Sequence, residues 1–201
     1  MTAKHYAGID PGIGSAAICI VDERAQALQY EVVQTRRQDY LDNVERVGVI
    51  VERFIALLNT YAVSHLALER QSYCSTGNNT RDLGGFYFLM RYLLRQQACA
   101  CQVEMVSPTT LKKFVTGYGG TRKGHNTKTA LMQELPPTFD AIVAGQSSAK
   151  KREDLTDAYW LSRYAHAYYS EPPAVSRLPQ GAGLAPVVAS AASRSSSPAR
   201  A

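Results

Sequence analysis

Three apolar runs follow one another too closely for a helix to fit between them, and this fixes how the chain must begin to fold. Tyr6 to Asp10, Ala16 to Val21 and Ala27 to Gln34 are separated only by turns at Gly12-Ile13-Gly14 and Asp22-Glu23-Arg24. Runs of this length read as strands, and turns this short join antiparallel neighbours, so the chain opens with a three-stranded meander. From Asp42 to Tyr61 the residues Val44, Val47, Val51, Phe54, Leu58 and Tyr61 recur at helical intervals and predict an amphipathic helix. Ser64 to Glu69 then reads as a short buried strand. A helical crossover between it and the first strand suits parallel pairing.

The pattern continues with a loop from Ser72 to Thr80 and a helix over about Arg81 to Gln97, with Leu83, Phe86, Tyr87, Met90 and Leu94 on one side. A fifth strand follows at Gln102 to Val106. Pro108 starts a short helix through Val115, because proline is tolerated in a first helical turn. Gly117-Tyr118-Gly119-Gly120 breaks it, Asn126 to Glu134 forms another helix, Pro136-Pro137 interrupts, and a last helix spans about Glu153 to Tyr169. The expected class is α/β, a five-stranded mixed sheet flanked by helices. Residues 1–170 form one domain by this reading. Residues 171–201, rich in Ala, Ser and Pro and with Arg177, Arg194 and Arg200 as the charged side chains beyond Glu171, form a disordered tail.

Four acidic residues sit where solvated carboxylates are unusual. Asp10 ends the first strand ahead of Pro11-Gly12, and Glu69 ends the strand Leu66-Ala67-Leu68. Asp154 and Asp157 stand three apart, on one helical face that Ala158, Leu161, Ala165 and Tyr168 continue toward the core. Taken singly, Asp10 could be a turn former, Glu69 a solvated strand end, and Asp154 a first-turn residue favoured by the helix dipole. Together they form a set of like charges that needs a cation. Oxygen-only sites of this kind suit Mg²⁺ or Mn²⁺, and two such ions can clamp the attacking and leaving oxygens of a phosphodiester.

The 201-residue chain has a net charge of +5, which favours a polyanionic partner. Lys112, Lys113, Arg122, Lys123 and Lys128 lie in one stretch with no Asp or Glu among them. That suits a phosphate-binding rim beside the acidic residues. A solvated basic loop is the plainer alternative. Cys19, Cys74, Cys99 and Cys101 lack zinc-site spacing and read as mostly buried thiols in a reducing compartment. No apolar run approaches a membrane span and the N-terminus lacks a signal-peptide core, so the expected location is cytoplasmic.

With the acids placed on this scaffold, the chain resembles the RuvC-type Holliday junction resolvases of the ribonuclease H-like superfamily. Gly8-Ile9-Asp10-Pro11-Gly12 is similar to the first-strand motif of that family, Leu66-Ala67-Leu68-Glu69 to its fourth-strand motif, Ser107 to Gly119 to its basic segment, and Asp154-Leu155-Thr156-Asp157-Ala158 to its last acidic helix. The likeness spans about residues 5 to 169. It implies that Asp10, Glu69, Asp154 and Asp157 are the catalytic carboxylates, holding two Mg²⁺ ions, and that Lys112 and Lys123 are functional lysines. Lys113, Arg122 and Lys128 would then contact the DNA backbone. Tyr73 is a candidate for stacking on an unpaired base, although Arg70-Gln71-Ser72-Tyr73 departs from the pattern of the family. Each cut would leave a 5′-phosphate and a 3′-hydroxyl.

The implied substrate is branched DNA, a four-way junction. Its two-fold symmetry calls for a homodimer with one site per subunit. The helix carrying Gly84, Gly85, Phe86 and Met90 is the candidate interface, with packing against its own sheet the alternative. The sequence identifies no branch-migration helicase partner. Three other readings share some of these features: a branched-DNA nuclease with relaxed substrate choice, a junction-binding protein without catalysis, and a sugar-kinase or actin-like ATPase. The last is opposed by length, since that architecture needs two such domains.

Overall fold

A computed structural model describes residues 3–70, 78–96, 101–119 and 127–170, with the side chains of 78–82, 127 and 128 outside the description. The expected tail, 171–201, and Cys74 and Cys99 lie outside the described residues. Five strands form one mixed sheet: β1 (His5–Asp10), β2 (Ser15–Val21), β3 (Ala27–Gln34), β4 (Val63–Glu69) and β5 (Gln102–Val106). Their spatial order is β3-β2-β1-β4-β5. β1 pairs antiparallel with β2, β2 antiparallel with β3, and β4 runs parallel to both β1 and β5. The meander and the parallel crossover read from the sequence are both present.

Strand alternation sends successive side chains to opposite faces, and here the two faces carry different helices. Ala7, Ile9, Ile18, Ile20, Leu66 and Leu68 pack on α1 (Asn43–Thr60) and α2 (Asn78–Gln96) through Ile50, Phe54, Leu58, Phe86 and Met90. Tyr6, Ala17, Cys19, Val21 and Ala67 pack on α6 (Ala149–Ser170) through Leu155, Ala158, Leu161 and Ala165. Helices α3 (Pro108–Thr116), α4 (Thr127–Gln133) and α5 (Pro137–Ala144) lie on this side, and Leu111 of α3, Leu135 between α4 and α5, and Phe139 and Val143 of α5 extend the second layer. No helix among the described residues is long and apolar enough to cross a membrane.

Gly8 decides how close the second layer comes. A Cβ built there would lie 2.2 Å from both the Ala158 carbonyl oxygen and the Ser162 nitrogen, so the backbone of α6 rests directly on β1. Helix α1 is fixed at its start by Asp42, which accepts from the Glu45 amide at 2.9 Å, while the Glu45 carboxylate accepts from the Leu41 amide at 2.7 Å. This reciprocal arrangement is a variant of the capping box.

Several boundaries differ from the sequence reading for physical reasons. Pro136-Pro137 opens a helix rather than interrupting one: Pro136 is the N-cap of α5 and Pro137 its first residue, where a missing N–H costs nothing. Helix α6 begins at Ala149, so Asp154 lies beyond the first turn. Val44, expected in the core, is exposed in the first turn of α1, and Ile50 and Ile55 take its place. Tyr168 is exposed rather than in the core stripe. Cys19 is buried, and burial pushes its thiol up to about 12, whereas Cys101 is only half-buried.

Phe86 and Met90, on the helix offered as a candidate interface, are fully buried against the sheet, which is the alternative packing for these two side chains. The apolar side chains that α2 does present to solvent are Phe88 and Tyr92, four residues apart and 78% and 58% exposed.

Candidate metal and nuclease site

Alternation fixes the direction of the first two acids. In β1 Tyr6 and Gly8 face α6, so Asp10 does too, and in β4 Ala67 and Glu69 share that face. β1 and β4 are parallel neighbours, with Ile9 opposite Leu68, and both end at the same edge of the sheet. The carboxyl groups of Asp10 and Glu69 are close enough to share a hydrogen bond. The turn beyond Asp10 is held tight: a Cβ on Gly12 would meet the Ser15 carbonyl at 2.1 Å.

Helix α6 brings the other two acids to this corner. Asp154 is 1% exposed on its side chain and Asp157 is half-buried. Ser15, the first residue of β2, donates to Asp154 Oδ2 at 2.5 Å, and Lys150 donates to Asp154 Oδ1 at 2.5 Å. Burial first, and then the charges of Glu69, Asp157 and Asp154, push the Asp10 carboxyl well above the usual carboxylate range. The other three expected acids therefore all act electrostatically on Asp10. For Lys150, partial burial works to lower its pKa, but the hydrogen bond and charge of Asp154 together with Asp10 and Glu153 raise it overall.

These residues fit a divalent cation by charge and donor type. A buried Asp10 carboxyl hydrogen-bonded to a second carboxyl, with two more acids beside it, gains most from a hard cation taking only oxygen ligands. As placed, the described side chains form no group of three or more His, Cys, Asp or Glu already gathered around one point. Asp154 accepts from Ser15 at Oδ2 and from Lys150 at Oδ1, so an ion shared through Oδ1 requires Lys150 to move aside.

The basic segment starts at the same edge. Val106 ends β5 opposite Glu69, its carbonyl accepts from the Arg70 amide at 2.7 Å, and α3 begins directly afterwards with Ser107 as N-cap and Pro108 in the first turn. Leu111 anchors α3 in the core, while Lys112 is half-buried and Lys113 exposed. Phe114 stands edge-on to Tyr164, seating α3 on α6. Trp160 donates from its indole nitrogen to the Leu131 carbonyl at 2.9 Å and ties α4 to the same helix. Tyr73, Arg122 and Lys123 lie outside the described residues, as does the side chain of Lys128 on α4.

Three supporting residues were not identified from the sequence. Ser15 and Asp154 are 139 residues apart and no local pattern announces their contact. Lys150 carries a weak signal, being four residues before Asp154 on one helix. Arg46 reads as a polar residue of α1, yet it is buried. It donates to the Thr35 carbonyl at 3.1 Å, the Ile13 carbonyl at 3.3 Å, Thr35 Oγ1 at 3.1 Å and Asn43 Oδ1 at 2.9 Å, pinning the turn that follows Asp10.

Comparison with known proteins identifies the family and the fold. The family described as "Crossover junction endodeoxyribonuclease RuvC" matches residues 6–135, which include Asp10, Glu69, Lys112 and Lys123. A crossover junction endodeoxyribonuclease RuvC from Brevibacillus brevis is 29% identical over 119 residues, covering 58% of this chain and 69% of that protein. The structure of Thermus thermophilus RuvC superposes with a TM-score of 0.61 at 20% identity, covering 83% of this chain and 95% of that one. The same Thermus protein in complex with a Holliday junction substrate gives a TM-score of 0.59 at 21% identity over 83% of this chain and 94% of that one. The structural match confirms the five-stranded mixed sheet flanked by helices, and the family match sets the ATPase reading aside. The match over most of its length, carried through β1, β4 and the basic segment, places this chain in the RuvC family of crossover junction endodeoxyribonucleases.

Proposed function

We propose that the protein resolves four-way DNA junctions by paired, symmetric nicks, using a divalent-metal site formed by Asp10, Glu69, Asp154 and Asp157. The observation that carries this reading is the convergence of carboxyl groups from β1, β4 and α6 at one edge of the sheet, with Asp10 buried among the other three. Two Mg²⁺ ions, or Mn²⁺, would supply Lewis acidity toward the phosphoryl oxygen and lower the pKa of the attacking water. Asp10 and Glu69 would bind from the sheet and the α6 pair from across it, while Ser15 orients Asp154. Lys112, at the start of the basic segment, would steady the phosphate as its charge grows during attack. Lys113, Arg122, Lys123 and Lys128 would follow the DNA backbone, and Tyr73 would stack at the open junction centre.

Lys112 separates a phosphate contact from bulk charge. Lys112→Ala is expected to slow cleavage about 10- to 100-fold and to reduce the salt-dependence slope of junction binding by about 1. Single-turnover rates and binding isotherms across a salt series measure both.

Two symmetric nicks need two sites, and the exposed stripe on α2 is the surface we assign to a two-fold dimer. Phe88 and Tyr92 stand outward one turn apart with Gly85 preceding them, which gives α2 a contiguous exposed aromatic stripe of the kind that marks an interface. Phe88→Glu is expected to give a monomer by sedimentation and to convert paired cuts into single nicks.

A four-way junction labelled on opposing strands, compared with three-way and flap substrates in Mg²⁺, tests the activity. Paired cuts at symmetric positions, preferred on the four-way substrate, are expected. Equal cutting of all three would favour a relaxed branched-DNA nuclease, and binding without nicking would favour a junction-binding protein.

A further inference from the structure

We propose that Lys150 is a built-in counter-ion of the acidic site, which holds Asp154 in one orientation and competes with divalent cations for its carboxylate. The proposal rests on the metal-site reading above and concerns how that site fills. Both oxygens of Asp154 are engaged: Lys150 Nζ lies 2.5 Å from Oδ1 and Ser15 Oγ 2.5 Å from Oδ2. A carboxylate oxygen has more than one acceptor direction, so the neutral Ser15 hydroxyl can stay while a cation binds. The ammonium group cannot stay without placing a full positive charge beside the incoming one. Lys150 must therefore leave Asp154 as the ion arrives.

The position of Lys150 supports this role. It is the second residue of α6, and the first turn of a helix disfavours a cation because the unpaired N–H groups already give that end a positive potential. Exposed ion pairs four residues apart on a helix are weak. Here one partner is 1% exposed and stands beside a second buried acid, Asp10, so the lysine neutralises a cluster rather than a single surface charge. The Lys150 side chain itself is 61% exposed, so it can swing into solvent at little steric cost. The arrangement provides a resting state in which the acids are partly neutralised and a loading step coupled to one side-chain movement.

Calorimetric titration of chelator-stripped protein with MnCl₂ tests this on wild type, Lys150→Gln, Lys150→Arg and Asp10→Asn. Lys150→Gln is expected to bind Mn²⁺ about fivefold more tightly or better, since it removes both competition and repulsion. Lys150→Arg, which keeps the charge, is expected to stay near wild type. The Mn²⁺ concentration giving half-maximal cleavage should fall in parallel for Lys150→Gln. Unchanged or weaker Mn²⁺ binding by Lys150→Gln, with wild type binding and Asp10→Asn not, overturns the role of Lys150 and leaves the metal site standing. No Mn²⁺ binding by wild type overturns the metal site and this inference with it.

Discussion

Asp10→Asn is expected to lower the rate of junction cleavage by a factor on the order of 10³ or more while leaving junction binding intact. The size follows from what a ligand carboxylate does in such a site: losing it removes several kcal/mol of charge stabilisation, and each 1.4 kcal/mol is about tenfold in rate. Binding should survive if, as proposed, the basic segment that starts in α3 rather than the acids supplies the attraction to phosphate. The effect on stability is expected to run the other way. Burial and then Glu69, Asp157 and Asp154 raise the Asp10 pKa in the folded protein. A raised carboxylate contributes stability that is present at low pH and lost as pH rises through its folded pKa, so at neutral pH without metal the charge of Asp10 works against folding. Asparagine removes that charge at nearly constant shape. The chelator-treated variant should melt at or above the wild-type temperature, and added Mn²⁺ should stabilise wild type more than the variant. Wild-type cleavage by Asp10→Asn would remove Asp10 from the chemistry.

Gly8→Ala is expected to be the most damaging small substitution in the sheet. The new methyl group would sit 2.2 Å from two backbone atoms of α6 and 2.6 Å from the Leu161 carbonyl carbon, and none of these can be relieved by a side-chain rotation. Helix α6 has to withdraw by about an ångström to restore ordinary contact distances. Overpacking of a closed core typically costs about 1–3 kcal/mol and more where backbone must move, so a loss of about 3 kcal/mol or more is expected. Asp154 and Asp157 move with the helix, and a displacement of about 1 Å at reacting groups can cost about 100-fold in rate. Urea unfolding and single-turnover cleavage measure the two effects. A variant within about 0.5 kcal/mol of wild type and fully active would mean that α6 does not rest on β1 through this glycine.

Where local pattern determines structure, the sequence was readable. The spacing of the first three apolar runs set the meander, and the strand-ending positions of Asp10 and Glu69 placed both acids at one edge of the sheet once β1 and β4 were paired. What escaped it depends on tertiary context. Pro136-Pro137 looks the same whether it stops a helix or starts one, and the burial of Phe139 and Val143 decides the matter. Arg46 is polar by type and buried by circumstance, because carbonyls from two other segments converge on it. Phe86 and Phe88 are equally apolar, but their positions on α2 send the first into the core and the second to solvent. The Asp154 environment combines a long-range partner, Ser15, with a local one, Lys150, and only the second leaves any trace in the spacing.

The proposed metal site can be tested directly by anomalous scattering from a crystal grown or soaked with MnCl₂. Manganese is expected within about 2 Å of the Asp10 carboxylate, shared with Glu69 and at least one acid of α6, with Lys150 moved off Asp154. Absence of manganese from this corner in a protein that cleaves four-way junctions in the same buffer would contradict the assignment of the four acids.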